Sequence, residues 1–305
     1  MMKKGVILAV GVWFSLTAIC STAHTASQNN SPQVIAHRGG KANWPENTIC
    51  AFRHNIARGV AAIEMDVQVT QDGEVVVYHP DDLWVWTTSK GAVATKVAKN
   101  IVGLDTTSKY KGPDAYKTQC NPDELGIPKL EDVLAIIPTK TPIIIDMKSL
   151  PAKDLVTALI KTIPDDQWKR LLFYSTNAEH TKLLRERKPD ALIFEDRGAT
   201  FSRNLKMITS HECTLKTPQK WVGYELIRTM DVCDKTKLGK TCVENLAFTV
   251  WTPDTIRCTR HMTGAKIVFF GINTPADFTA ARRLGANAVF SDDPEALLPA
   301  KHRKK

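Results

Sequence analysis

The chain has 305 residues, 43% hydrophobic, 24% charged and 7% aromatic, a balance that excludes collagen-like, disordered and multi-span membrane classes. Its formal charge of +9 sits largely at the ends: Lys3 and Lys4 open the chain and Lys301, Arg303, Lys304 and Lys305 close it, leaving 35 basic against 32 acidic residues between them. So balanced a body is not a polyanion binder, and no nucleic-acid partner is expected.

Lys3 and Lys4 precede an uncharged apolar run, Gly5 to Cys20, and then Ser21-Thr22-Ala23. That is the order of a secretory signal peptide, and the run is shorter than the ~20 residues a spanning helix needs. Residues 1–23 are therefore expected to be removed, after Ala23 or alternatively Ala26. The mature protein is expected to be exported, periplasmic or secreted, with no stable membrane anchor after cleavage. The basic tail 301–305 reads as a solvated end. Six cysteines then remain: Cys50, Cys120, Cys213, Cys233, Cys242 and Cys258. An even number in an exported chain permits disulfides, and six cysteines allow 15 pairings. Cys233 and Cys242 are close enough for a short clip; the pairing is otherwise open. No C-x-x-C pair is present, which disfavours a structural zinc site.

From Val34 onward, short β-rich runs alternate with amphipathic stretches. The runs are 34–36, 62–67, 75–78, 143–146, 171–174, 192–194, 248–251, 267–270 and 288–290, with a tenth candidate at 221–226. Helical patterns fall at 130–136, 153–161, 177–187, 253–262 and 275–284. Such alternation predicts a parallel α/β sheet, and eight or nine strands in about 270 residues predict one closed TIM (β/α)8 barrel over 31–300. Between His79 and Leu130 the rhythm stops. That stretch, with Trp84, Trp86, Gly103, Gly112 and Pro113, reads as a cap-like insertion of about 81–128 after the third strand-like segment.

Chemistry-bearing residues stand at the C-terminal ends of these runs. Glu64 and Asp66 are two apart on a strand, so both carboxylates face one way and Met65 the other. Paired acids at a barrel mouth repel unless a proton or cation lies between them. Asp146 and Lys148 repeat the spacing and add a third carboxylate and an ammonium. An all-oxygen donor set suits one hard divalent cation, Ca²⁺ or Mg²⁺. His37 and His79 bring two imidazoles to the same rim, fit to give and take protons near neutral pH. Arg38 and Lys148 supply positive charge for a phosphate. Gly39 and Gly40 allow either a close approach of backbone to ligand or a tight turn.

The block from Val34 to His79 resembles the glycerophosphodiester phosphodiesterase family. The matching pieces are His37-Arg38-Gly39, Pro45-Glu46-Asn47-Thr48 with Phe52, Gly59, Ile63-Glu64-Met65-Asp66-Val67, Thr70-Gln71-Asp72-Gly73 and Val75-Val76-Val77-Tyr78-His79. Weaker echoes follow at Thr87-Thr88, 127–134, 146–148, Ile272-Asn273, Gly285-Ala286 and Ser291-Asp292-Asp293-Pro294. The resemblance implies a TIM barrel that hydrolyses a small glycerophosphodiester to an alcohol and sn-glycerol 3-phosphate. Its catalytic histidines fall on His37 and His79, its metal carboxylates on Glu64, Asp66 and Asp146, and its phosphate-binding residues on Arg38 and Lys148. Trp84 and Trp86 then either wall the substrate pocket or form a small core in the insertion. Three departures stand out: Asp146 replaces the usual Glu, Pro80 replaces an Asp after the second histidine, and Phe270-Gly271-Ile272-Asn273 replaces Trp-Thr-Val-Asn. Two other functions remain in view, a phospholipase D-like lyase acting on sphingomyelin or lysophospholipids, and a non-catalytic exported binding protein.

Overall fold

The computed structural model describes residues 31–214, 219–236 and 239–298. The signal-peptide segment 1–23 and the tail 301–305 lie outside the described residues. In chain order the elements are β1 (Gln33–Ala36), α1 (Ile49–Arg58), β2 (Ala62–Val69), β3 (Val75–Val77), α2 (Tyr116–Gln119), α3 (Leu130–Ile136), β4 (Ile143–Met147), α4 (Ala152–Thr162), β5 (Leu171–Tyr174), α5 (Ala178–Arg187) and β6 (Leu192–Ile193). Then come α6 (Arg197–Ser210), β7 (Trp221–Glu225), β8 (Ile227–Thr236), β9 (Gly239–Thr249), α7 (Pro253–Thr263), β10 (Lys266–Phe270), α8 (Pro275–Leu284), β11 (Ala288–Ser291) and α9 (Pro294–Leu297).

Parallel pairing runs β6-β5-β4-β2-β1-β11-β10-β7. The Glu195 N–H donates to the Trp221 carbonyl (2.8 Å) across the remaining seam, so the eight strands form a nearly closed TIM barrel with helices between them. The two-residue period sorts the side chains. On β2, Ile63, Met65 and Val67 pack outward into one buried cluster with Ile143, Ile145 and Met147 of β4 and Leu171 and Phe173 of β5. Ala62, Ile144, Leu172 and Tyr174 belong to a second cluster with Ile35, Phe270 and Phe290, which fills the barrel interior. Glu64, Asp66 and Asp146 share the inward phase, and Asp66 stands directly beside Asp146 in the β2–β4 register.

Two of the nine predicted runs are not barrel strands. The run 75–78 contains β3, which folds back antiparallel on β2 (Val77 opposite Val67). The run 248–251 begins in the last residues of β9, which pairs antiparallel only with β8. The tenth candidate, 221–226, contains the barrel strand β7 instead. A four-residue apolar run has the same pattern in a hairpin and in a barrel, so periodicity does not separate them.

Residues between β3 and α3 form short 3-10 turns and α2, around a core of Val76, Tyr78, Leu83, Val93, Ile101 and Ile127. The Cys50–Cys120 disulfide ties this insertion to α1. Cys213 bonds Cys258 of α7, and Cys233 bonds Cys242, directly opposite it in the β8–β9 hairpin.

Candidate active site

The site begins with three carboxylates that the strand period turns inward. Glu64, Asp66 and Asp146 are buried to 0%, 0% and 2% exposure, with one oxygen of each within 4.8 Å of the others. Unit charges about 4 Å apart repel by roughly 4 kcal/mol even at an effective dielectric of 20, so the cluster needs compensation. Lys148 lies 2.5 Å from Asp146 Oδ2 and 3.3 Å from Asp66 Oδ1. The Arg38 Nε lies 3.3 Å from Asp66 Oδ2. The three acids nevertheless differ. Burial, reinforced by Asp66, lifts the Glu64 pKa. Burial also pushes Asp146 up to about 7 against the pull of Lys148. At Asp66 burial acts in the same direction, but Lys148 and Arg38 outweigh it and hold the carboxyl below its ordinary value. The Oδ1 atoms of Asp66 and Asp146 are buried without a hydrogen bond. Lys148 is the cation near Asp66 Oδ1, and three buried carboxylates whose oxygens approach this closely fit a hard divalent cation.

The turn after β1 carries His37 and Arg38. Arg38 has φ 53°, and Gly39 and Gly40 have φ 77° and 88°. This twist aims the Arg38 N–H at Glu64 Oε2 (2.8 Å), while the Tyr174 hydroxyl donates to Glu64 Oε1 (2.9 Å). The glycines serve packing rather than ligand approach: a Cβ on Gly39 would fall 2.8 Å from the Phe52 ring, and one on Gly40 would fall 2.6 Å from Asn55 Nδ2. Pro45-Glu46-Asn47-Thr48 divides its work by residue. Glu46 accepts from Arg38 (3.2 Å) and from the Trp86 indole (3.0 Å). Asn47 clamps Asp66, donating to Oδ2 (2.9 Å) and accepting from its N–H (3.1 Å). Thr48 caps α1 by accepting from the Ala51 N–H (3.2 Å).

His37 lies between two acids, with Nδ1 2.5 Å from Asp292 Oδ1 and Nε2 3.8 Å from Glu64 Oε2. Burial draws its pKa down, but Glu64 and the Asp292 hydrogen bond more than offset this, so it stands raised. His79 reaches the same cluster by a different path. β3 runs back beside β2, and the Tyr78 N–H donates to the Asp66 carbonyl (3.0 Å), so the next residue arrives beside the acids. Burial lowers the His79 pKa to about 4; Asp66 opposes this, while Arg38, Lys148 and His37 reinforce it. Among the described residues no hydrogen bond orients its ring.

All seven predicted residues, His37, Arg38, Glu64, Asp66, His79, Asp146 and Lys148, thus meet at one end of the barrel. Sequence reasoning gave no role to Asp292, Tyr174, Glu46 or Asn47. Asp292, Glu46 and Asn47 lie inside motifs shared with the family, whereas Tyr174 has only its place at a strand end as a signal. Trp86 packs against the insertion's core and also faces a cavity beside Arg38; Trp84 is 48% exposed and does neither.

An acidic cluster at the mouth of an α/β barrel, flanked by imidazoles and phosphate-sized positive charge, defines a phosphoryl-hydrolase type of site. Residues 37–296 match the Glycerophosphoryl diester phosphodiesterase family; the chain belongs to that family and is a phosphoric diester hydrolase. The crystal structure of the glycerophosphoryl diester phosphodiesterase domain of an uncharacterized protein, Rv2277c from Mycobacterium tuberculosis, is similar at TM-score 0.78 and 29% identity, covering 88% of this chain and 98% of that one. A glycerophosphodiester phosphodiesterase of Caldanaerobacter subterraneus subsp. tengcongensis is 26% identical over 270 residues, 87% of this chain and 96% of its own. An Oleispira antarctica phosphodiesterase, solved with the product sn-glycerol-3-phosphate, shares the fold at TM-score 0.64 and 21% identity, covering 87% of this chain and 94% of that one.

Proposed function

We propose that this enzyme hydrolyses glycerophosphodiesters to an alcohol and sn-glycerol 3-phosphate, with one divalent cation, Ca²⁺ or Mg²⁺, held by Glu64, Asp66 and Asp146. The observation that carries this is the buried cluster of Glu64, Asp66 and Asp146, close enough to share one ion, beside His37, His79, Arg38 and Lys148. The sn-glycerol-3-phosphate bound in the Oleispira relative supports the product. We assign residues 1–23 as a signal peptide, 31–300 as the barrel with its insertion at about 81–128, and 301–305 as a tail, which makes the enzyme an exported one.

A bound cation supplies Lewis-acid polarisation of a phosphate oxygen. Arg38 and Lys148 stabilise the negative charge that grows on the phosphoryl oxygens. His79, kept neutral by burial and cationic neighbours, takes a proton from the attacking water. That water's oxygen bonds to phosphorus as the bond from phosphorus to the head-group oxygen breaks. His37, whose protonated form Asp292 and Glu64 favour, gives its proton to the departing alkoxide. Tyr174 and Asn47 hold Glu64 and Asp66 in place throughout.

Choline and sn-glycerol 3-phosphate release from glycerophosphocholine tests the proposal. Activity is expected with added Ca²⁺ or Mg²⁺ and not after chelation. His37→Ala and His79→Ala are each expected to lower kcat by about 10²–10⁴, with an unchanged circular dichroism spectrum. Full turnover in chelator removes the cation from the reaction, and full turnover in either variant removes that histidine. Phosphorus NMR distinguishes the open phosphate monoester from the cyclic phosphate of a lyase. N-terminal sequencing of the exported protein is expected to begin after Ala23 or Ala26.

A further inference from the structure

A cavity of about 430 Å³ opens beside the carboxylate cluster, a size that suits small ligands. Arg38, Lys41 and Asp292 line it from the barrel side, and Trp86, Tyr110 and Lys111 from the insertion. Because Arg38 pairs with Asp66 and Asp292 with His37, a group filling this cavity is adjacent to a phosphate held at the cluster.

What matters is which charges the walls leave free. The Glu46 carboxylate, also on the wall, is engaged by Arg38 and the Trp86 indole. Asp292 is engaged by His37, by Lys41 at 3.4 Å and by Asn273 at 3.2 Å. No other carboxylate lines the cavity. On the donor side, Lys111 is exposed and has no partner among the described residues. The Tyr110 hydroxyl is buried without a hydrogen bond, packed over Gly112 where any side chain would overlap it. The cavity therefore offers a spare ammonium and positive charge but no spare acid.

We infer that this cavity receives the leaving alcohol and selects head groups rich in hydrogen-bond acceptors and without net positive charge, with Lys111 and Lys41 as specificity-determining donors. A polyol such as inositol meets these groups with hydroxyl oxygens. A quaternary ammonium would sit among like charges; the aromatic cages that bind such cations are not interleaved with lysines. This rests on the phosphodiesterase proposal, and its test separates the two.

The test compares kcat/KM for glycerophosphoinositol and glycerophosphocholine on the cation-loaded, full-length mature enzyme. The inositol diester is expected to be preferred by about tenfold, the order of one charge-assisted hydrogen bond. Lys111→Glu is expected to raise KM for the inositol diester and lower it for the choline diester, reversing the preference. Lys111→Arg is expected to retain it. Cleavage of both diesters without an inositol preference, or the same preference in Lys111→Glu, overturns the inference and leaves the phosphodiesterase proposal standing. Cleavage of neither diester overturns both.

Discussion

His37 is held by two partners remote in sequence, Asp292 at 2.5 Å and Glu64 at 3.8 Å, and Asp292 is itself oriented by Asn273, which accepts from its N–H at 2.7 Å. The dyad has a titration consequence. The His37 pKa lies above its ordinary 6.5, so the imidazolium persists to higher pH than that of a free imidazole and is lost as pH rises past the raised value. Turnover that needs this proton therefore declines on the alkaline side. Asp292→Asn keeps the shape but removes the anion, and is expected to move that limb to lower pH and cut kcat at neutral pH on the order of tenfold or more. A pH–rate profile with the alkaline limb unmoved would sever Asp292 from the reaction. The motif Pro45-Glu46-Asn47-Thr48 was legible as a pattern, but its division into an arginine clamp, an aspartate clamp and a helix cap was not, since each hydrogen bond depends on where another element lies.

The short turn from His37 to Gly40 is the element on which the site depends most directly. Its left-handed residues let two site residues leave β1 in different directions while Gly39 packs on Phe52 and Ala51. Gly39→Ala meets both a positive φ and an occupied space. Left-handed strain costs about 1–2 kcal/mol and overpacking about 1–3 kcal/mol. A loss of about 2–4 kcal/mol in denaturant unfolding, with reduced turnover, is expected; wild-type stability would show that the turn relaxes freely. Helix legibility varied for a related reason. The patterns at 130–136 and 275–284 coincide with α3 and α8, whose apolar residues recur with the helical period. α6 escaped because its buried face is made of Thr200, Arg203 and Asn204, which carry no hydrophobic signal.

At the scale of the molecule, the carboxylate cluster joins neighbouring strands β2 and β4 at a point where the fold works against itself. Burial and neighbouring acids push Asp146 up to about 7 from an ordinary 3.8. The folded chain thus holds a proton there that the unfolded chain releases, and this group's contribution to stability falls as pH climbs from 3.8 toward 7. A cation takes the proton's place, so its binding releases protons and strengthens as pH rises. The increase in Tm on adding Ca²⁺ or Mg²⁺ is expected to be larger at pH 8 than at pH 6. Equal increases at the two pH values would mean that Asp146 does not exchange its proton for the ion.

What the chain alone determined was local: strand period, inward pairing of Glu64 with Asp66 and Asp146 with Lys148, the His37-Arg38-Gly39 turn, and the interruption after His79. These follow from neighbours a few residues apart, which share one backbone geometry. Tertiary structure decided which apolar runs became barrel strands, that β3 folds back to deliver His79, and which cysteines meet. It also brought Asp292 to His37 across 255 residues and Tyr174 to Glu64 across 110. Such contacts exist only after long loops close and layers pack, and nothing in the spacing of either partner encodes the other.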